Sequence, residues 1–253
     1  MFDHITLRVP ELAVAERVFD AVLTPLDIAK TSSTSAFAVW NGFALTQTDD
    51  AHPVTRGLHV AFVAPSQESV DAFWQAGIDA GLSDDGPPGP RPRCGDDYYA
   101  AFVRDPNGNG IEAVHRDALR VGIFDHVAIR VADLTAATAF YQTISGAAGF
   151  DVRHEGGSSH TTFSDGASRG AFSLLRGRPT ENLHMAFTGT DDAVRRFYHH
   201  AVAAGYHGNG EPGERPRYHA GYYAAYVLDP GGNNIEVVDH HRAQQGRQNP
   251  AAP

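Results

Sequence analysis

Six residues could do chemistry together in this sequence: His4, His59 and Glu112 in its first half, and His126, His184 and Glu236 in its second. Two neutral imidazoles and one carboxylate on one face can bind a divalent ion and leave positions open for a ligand. Such a set favours Fe(II) or Mn(II), and Zn(II) or Ni(II) tolerate the same ligands. A lone histidine in an apolar run is more often a hydrogen-bonded core residue, and a lone glutamate at a strand start more often an ion-pair partner. Recurrence argues otherwise here. The interval from the second histidine to the glutamate is 53 residues in one half (112 − 59) and 52 in the other (236 − 184).

The elements that must position these residues repeat as well. Tyr98-Tyr-Ala-Ala-Phe-Val-Arg-Asp-Pro-Asn-Gly-Asn-Gly-Ile-Glu112 returns as Tyr222-Tyr-Ala-Ala-Tyr-Val-Leu-Asp-Pro-Gly-Gly-Asn-Asn-Ile-Glu236. Phe2-Asp3-His4 returns as Phe124-Asp125-His126, and Leu58-His59 as Leu183-His184. Ile5, Leu7 and Val9 alternate with His4, Thr6 and Arg8, the period of a strand with one apolar face. After Pro10 the spacing of Leu12, Val14, Val18, Phe19 and Val22 suits an amphipathic helix. Ser66 is a candidate N-cap for a second helix. Asp105-Pro106-Asn107-Gly108 and Asp229-Pro230-Gly231-Gly232 have turn chemistry and predict hairpins.

The expected class is therefore α+β. Four βαβββ modules would form two curved, eight-stranded, cup-like sheets with flanking helices, one sheet per half. The expected units are residues 1–118 and 122–241, with a poorly ordered polar tail over 242–253. Trp40, Phe43, Phe102, Phe163, Phe172 and Tyr226 are aromatics that could line such cups.

The composition is that of a soluble globular protein. No apolar run approaches the roughly 20 residues that span a bilayer, so no membrane partner is expected. A formal charge of −10 argues against a nucleic-acid ligand. The single cysteine, Cys94, rules out an intrachain disulfide, and the N-terminus lacks the pattern of a secretory signal, so a cytoplasmic location is expected. The expected partner is a small molecule, and a homodimer is compatible with the reading.

The strand-borne histidines, the Leu-His-Val/Met-Ala-Phe segments and the Tyr-Tyr-Ala-Ala-x-Val-x-Asp-Pro-x-Gly-Asn-x-Ile-Glu segments resemble the vicinal oxygen chelate superfamily over residues 2–241. That superfamily groups glyoxalase I, bleomycin-resistance proteins and extradiol dioxygenases. The resemblance implies paired βαβββ modules around a cup that holds a divalent metal. The tandem halves resemble extradiol dioxygenases, and His219, Tyr226, Asp229, Pro230 and Glu236 match their signature spacing. Departures are Ala225 before the tyrosine, and Arg169 and Arg176 where those enzymes carry a further histidine. Glyoxalase I adds an acidic fourth ligand on the fourth strand. Phe43-Ala44-Leu45 and Phe172-Ser173-Leu174 offer no carboxylate there. The tandem layout favours ligand sets within each half; the alternative joins His4 to His184 and Glu236.

Differences between the halves point to where reaction would occur. Tyr218-His219 aligns with Cys94-Gly95, and Tyr226 with Phe102. His219 could move protons and Tyr226 could hydrogen-bond an anionic oxygen, so both are candidate catalytic residues. Tyr218 and Arg130 are candidate substrate-binding residues, Arg130 lying four positions after His126. The pairs His199-His200 and His240-His241 read as surface residues. The function expected is a divalent-metal-dependent enzyme, extradiol-dioxygenase-like, acting on a small oxygen-chelating substrate. The alternative is a small-molecule or antibiotic-sequestering protein.

Overall fold

The alternation along Phe2–Val9 sorts that strand as expected. Ile5, Leu7 and Val9 are buried in the apolar core, while His4, Thr6 and Arg8 line a cavity on the opposite face. The computed structural model describes residues 1–117, 121–166 and 170–241. Arg169 and the tail at 242–253 lie outside the described residues.

Each module is a strand, a helix and three further strands. The first holds β1 (Phe2–Val9), α1 (Leu12–Leu23), β2 (Ser32–Ser33), β3 (Phe37–Trp40) and β4 (Phe43–Gln47). The second holds β5 (His59–Val63), α2 (Gln67–Asp79), β6 (Ser83–Pro90), β7 (Tyr99–Arg104) and β8 (Gly110–His115). The third holds β9 (Phe124–Val131), α3 (Leu134–Ala148), β10 (Asp151–Glu155), β11 (His160–Ser164) and β12 (Ala171–Arg176). The fourth holds β13 (His184–Thr188), α4 (Asp191–Ala203), β14 (Gly208–Glu214), β15 (Tyr223–Leu228) and β16 (Asn234–Asp239). Helix starts follow side-chain caps: Ser66, Asp133 and Thr190 accept from the backbone N–H three residues on. No helix among the described residues is long and apolar enough to cross a membrane.

The modules form two eight-stranded sheets, but the pairing is exchanged between halves. One sheet runs β14-β15-β16-β13-β1-β4-β3-β2, uniting the first and fourth modules. The other runs β10-β11-β12-β9-β5-β8-β7-β6, uniting the second and third. This corrects the expectation of one sheet per half. The connections supply the physical reason. β9 follows β8 in the chain and pairs antiparallel with β5 on the side away from β8. The segments after β4 and β12 cross between sheets and brace each other there. Arg56 and Glu181 exchange backbone hydrogen bonds of 3.0 and 2.9 Å. Thr55 Oγ1 donates to Asn182 O, and Thr180 Oγ1 donates to Gly57 O.

The sheets meet back to back through aromatic contacts. Phe43 meets Phe62 edge-on at 5.2 Å, Phe2 meets Phe124 at 5.7 Å, and Phe172 meets Phe187 at 5.7 Å. Each such pair joins residues of different sheets and is worth about 0.5–1.5 kcal/mol beyond the area it buries. Trp40, Phe43, Phe163 and Phe172 are therefore fully buried core residues. Of the six aromatics considered as cup lining, Tyr226 faces the cavity over the first and fourth modules. Phe102 packs at the corresponding place on the other sheet, its ring 6.3 Å from that of His59.

Candidate metal centres

Strand register places the chemistry. His4 opposes Ala186, Ala186 opposes Glu236, and Glu236 opposes Tyr226, one row across β1, β13, β16 and β15. The adjacent row is Thr6, His184 and Asn234. Opposed residues on neighbouring strands share a face, and residues two apart return to it. The other sheet repeats the pattern: His126, Ala61, Glu112 and Phe102 in one row, Ala128, His59 and Gly110 in the next. In each row an alanine separates the first histidine from the glutamate and leaves room between them.

The hairpins set this register. Asp229 Oδ1 accepts from the N–H groups of Gly231 and Asn233, and Asn233 Oδ1 accepts from Leu183 N, beside His184. Asp105, Asn109 and Leu58 do the same beside His59. The Asp-Pro-x-Gly-Asn turn thus locks the glutamate strand to the histidine strand. Gly42 serves the first histidine. It has φ +103°, and a Cβ there would lie 2.8 Å from the carbonyl oxygen of Asp3.

Two clusters result: His4, His184 and Glu236, and His59, Glu112 and His126. Both draw on both halves, which corrects the expectation of ligand sets within each half. The second histidine and glutamate of a half do meet, but the first histidine comes from the other half because β1 and β9 pair across. In the first cluster Nε2 of His184 lies 3.0 Å and Nε2 of His4 3.5 Å from Glu236 Oε2. The two histidine Nε2 atoms are 2.9 Å apart. In the second, Nε2 of His59 and of His126 lie 2.8 and 3.4 Å from Glu112 Oε2. Bonds of about 2.1 Å to one ion put its donors roughly 3.0–3.4 Å apart, so both clusters could hold a divalent ion.

The surroundings prepare these groups. Tyr222 OH donates to Glu236 Oε1 at 2.7 Å, and Tyr98 OH to Glu112 Oε1 at 2.5 Å. Nδ1 of His4 donates to Asp3 at 2.8 Å and Nδ1 of His126 to Asp125 at 2.9 Å, which leaves each Nε2 lone pair facing its cluster. Burial raises the Glu236 carboxyl, but the hydrogen bond and charge of His184 outweigh it and hold the group below its ordinary value. Burial pushes the His184 imidazole down, against the pull of Glu236. An ionised carboxylate and a neutral imidazole are the forms that bind metal. Burial and the Glu236 charge push the Tyr222 phenol far up, so it stays a donor.

The two centres differ in what stands around them. A cavity of about 1000 Å³ opens over His4, His184 and Glu236. Tyr226 and His219 line it, as does the exposed Tyr218 at its mouth. The Tyr226 hydroxyl is buried beside Glu236 and makes no hydrogen bond of good geometry. Burial, followed by the Glu236 charge, pushes it far above the usual phenol range. Asn234 meets Nδ1 of His184 at 2.7 Å, whereas Gly110 stands beside His59. Ala44 and Thr46 of β4 line the cavity and bring no fourth carboxylate.

Two expectations are corrected here. Arg130 belongs to the other sheet, where its Nη1 reaches the Gly57 carbonyl at 3.5 Å; Arg8, its counterpart, lines the cavity with Tyr218. His240 and His241 are part-buried rather than surface residues, His240 donating to Asp3 at 2.9 Å and His241 lying 3.0 Å from Asp191. Asp3 and Tyr222 were not singled out from the sequence, although the repeated Phe-Asp-His and Tyr-Tyr-Ala-Ala segments display both.

The family profile described as Glyoxalase/Bleomycin resistance protein/Dioxygenase superfamily matches residues 123–237. A glyoxalase/bleomycin resistance protein from Albidiferax ferrireducens is 34% identical over 46% of this chain and 99% of that chain, with a TM-score of 0.43. The chain belongs to the glyoxalase/bleomycin resistance protein/dioxygenase superfamily. The two-sheet fold of this superfamily member is similar to glyoxalase I from Zea mays, at 17% identity, 97% and 94% coverage and a TM-score of 0.67. It is also similar to a proposed dioxygenase from Bacillus subtilis, at 15% identity, 96% and 87% coverage and a TM-score of 0.64. Identities this low speak for the fold alone. No curated protein sequence matches the chain.

Proposed function

We propose that this superfamily member is a divalent-metal-dependent enzyme acting on a small substrate with two adjacent oxygens. The His4, His184 and Glu236 centre is its reacting site. The observation that carries this reading is the buried, unpartnered Tyr226 hydroxyl beside one of two otherwise matching ligand sets. An orphaned buried hydroxyl costs about 1–3 kcal/mol, and a substrate oxygen in the cavity would give it a partner.

His4, His184 and Glu236 would hold the ion, with Fe(II) or Mn(II) favoured by two imidazoles, one carboxylate and open positions. When bound, the ion supplies Lewis-acid polarisation of the substrate oxygens and, as Fe(II), dioxygen chemistry. Tyr226 donates its hydroxyl hydrogen to the oxygen on which negative charge develops. His219 and its neighbours at the cavity mouth move protons. Arg8 and Tyr218 orient the substrate from the mouth side. Tyr222 and Asp3 hold Glu236 and His4 in place.

The test is anaerobic reconstitution with Fe(II) or Mn(II), followed by turnover assays with catechols and with 2-oxo aldehyde adducts. Wild type is compared with Tyr226→Phe. A metal-loaded wild type that turns over neither class, or a Tyr226→Phe protein of undiminished activity, would refute the reading.

A further inference from the structure

Behind the first centre lies a pair of imidazoles whose hydrogen-bond inventory does not close with both rings neutral. Nδ1 of His219 lies 2.8 Å from the carbonyl oxygen of Ala220. A carbonyl only accepts, so this nitrogen carries hydrogen. Nε2 of His240 lies 3.0 and 2.9 Å from the two oxygens of Asp3. Asp3 Oδ1 also lies 2.8 Å from Nδ1 of His4, so the Asp3 carboxylate serves as acceptor to both rings and Nε2 of His240 carries hydrogen. The nitrogens left over, His219 Nε2 and His240 Nδ1, are 2.8 Å apart. In two neutral rings both would be bare lone pairs. One additional proton between them turns the clash into a hydrogen bond.

The ring geometry suits that bond. The planes are 16° from parallel and the centroids 5.1 Å apart, which with a 2.8 Å nitrogen separation sets the rings edge to edge rather than face to face. The Asp3 carboxylate of β1 lies against one end of the pair, and the Tyr222 ring meets both imidazoles at 5.0 and 5.3 Å. Tyr218 stands over Tyr222, with the Arg217 guanidinium on its own hydroxyl.

The second centre is an internal control. Arg116 takes the place of His240: it pairs with Asp125 at 2.9 Å and lies over the Tyr98 ring at 4.3 Å. Gly95 takes the place of His219. The second centre thus has a permanent guanidinium beside the aspartate that orients its first histidine, and the first centre has an imidazole there.

We propose that His219 and His240 share one proton and act as a proton store for the cavity they line. Donation moves that proton from between the two nitrogens to a substrate oxygen or carbon; the pair goes from one positive charge to none, and the substrate gains one hydrogen. The two lone pairs then face each other until the pair retakes a proton from solvent at the cavity mouth. The identity of the acceptor rests on the function proposed above, but the shared proton does not.

The experiment is imidazole ¹⁵N NMR on the metal-free full chain between about pH 6 and 8, the range where histidine charge ordinarily changes. Expected is one far-downfield N–H–N proton coupled to both His219 Nε2 and His240 Nδ1, lost in His219→Phe and in His240→Arg, which reproduces the second centre. Two neutral imidazoles without that proton throughout the range would overturn the inference. Metal stoichiometry is measured on the same preparations. A chain with the shared proton but no metal uptake would sink the enzyme reading alone; one with metal uptake but no shared proton would sink this inference alone.

Discussion

Nε2 of His4 lies 2.9 Å from Nε2 of His184, across 180 residues of chain. Neither half can assemble this contact by itself, because β1 and β13 belong to different halves and pair antiparallel in one sheet. Both centres are completed within a single chain.

Metal stoichiometry of double variants tests the exchange. Each centre supplies three ligands, so two ions per chain are expected, and loss of any one ligand should empty its own centre. His4→Ala combined with Glu236→Ala should retain one ion, because both changes fall on the same cluster. His4→Ala combined with Glu112→Ala should retain none. The reverse pattern, read by elemental analysis of protein purified without chelators, would mean that each half keeps its own ligands.

Ala186 should behave as a metal-site residue without being a ligand. It separates His4 from Glu236 in the strand row and is fully buried. Ala186→Val puts two methyl groups into that space. Metal affinity at this centre should fall by at least the ~10–100-fold that disturbing a ligand's surroundings costs. Overpacking should cost about 1–3 kcal/mol of stability. Unchanged metal binding in a folded variant would show that the room between the rows is not used.

Tyr226→Phe should separate stability from activity. The change deletes a buried hydroxyl that has no partner and recreates what Phe102 does on the other sheet. Stability should be unchanged or rise by about 1 kcal/mol, while turnover falls by the roughly 10²–10³-fold typical of losing one donor to a developing anion. Denaturant unfolding and steady-state kinetics on one preparation measure both.

Acid should weaken the metal-free fold through Asp3. Its folded-state carboxyl is held below the unfolded value of about 3.9 by His240 and His4, despite the opposing effect of burial. Above that value the carboxyl is ionised in both states and the stabilisation is complete. As pH falls below it the unfolded chain takes up the proton first, so stability declines until pH passes the folded value. Asp3→Asn should flatten this acid limb and cost about 1.5–3 kcal/mol near neutrality, since it removes hydrogen bonds to a charged group. Denaturant midpoints at a series of pH values give the slope; equal slopes in the two proteins would exclude Asp3 as its source.

Much of the machinery was legible locally. Alternation along β1 separated the core residues Ile5, Leu7 and Val9 from His4, Thr6 and Arg8. The two Asp-Pro-x-Gly-Asn turns announced the hairpins that carry Glu112 and Glu236. Ser66 did cap its helix. The fold class follows from such features because side-chain period and turn chemistry act over a few residues. The histidine pair His219–His240 was missed because its members are 21 residues apart and meet only through the hairpin between them.

The amino-acid sequence by itself determined the candidate ligand types, the strand faces they occupy and the turn that sets each glutamate beside its histidine. Only the tertiary structure decided which first histidine completes which centre. Phe2-Asp3-His4 and Phe124-Asp125-His126 are near-identical edges, and nothing local distinguishes their partners. The choice is made by the crossing segments around Thr55 and Thr180, which brace each other, and by the aromatic contacts that hold the two sheets back to back.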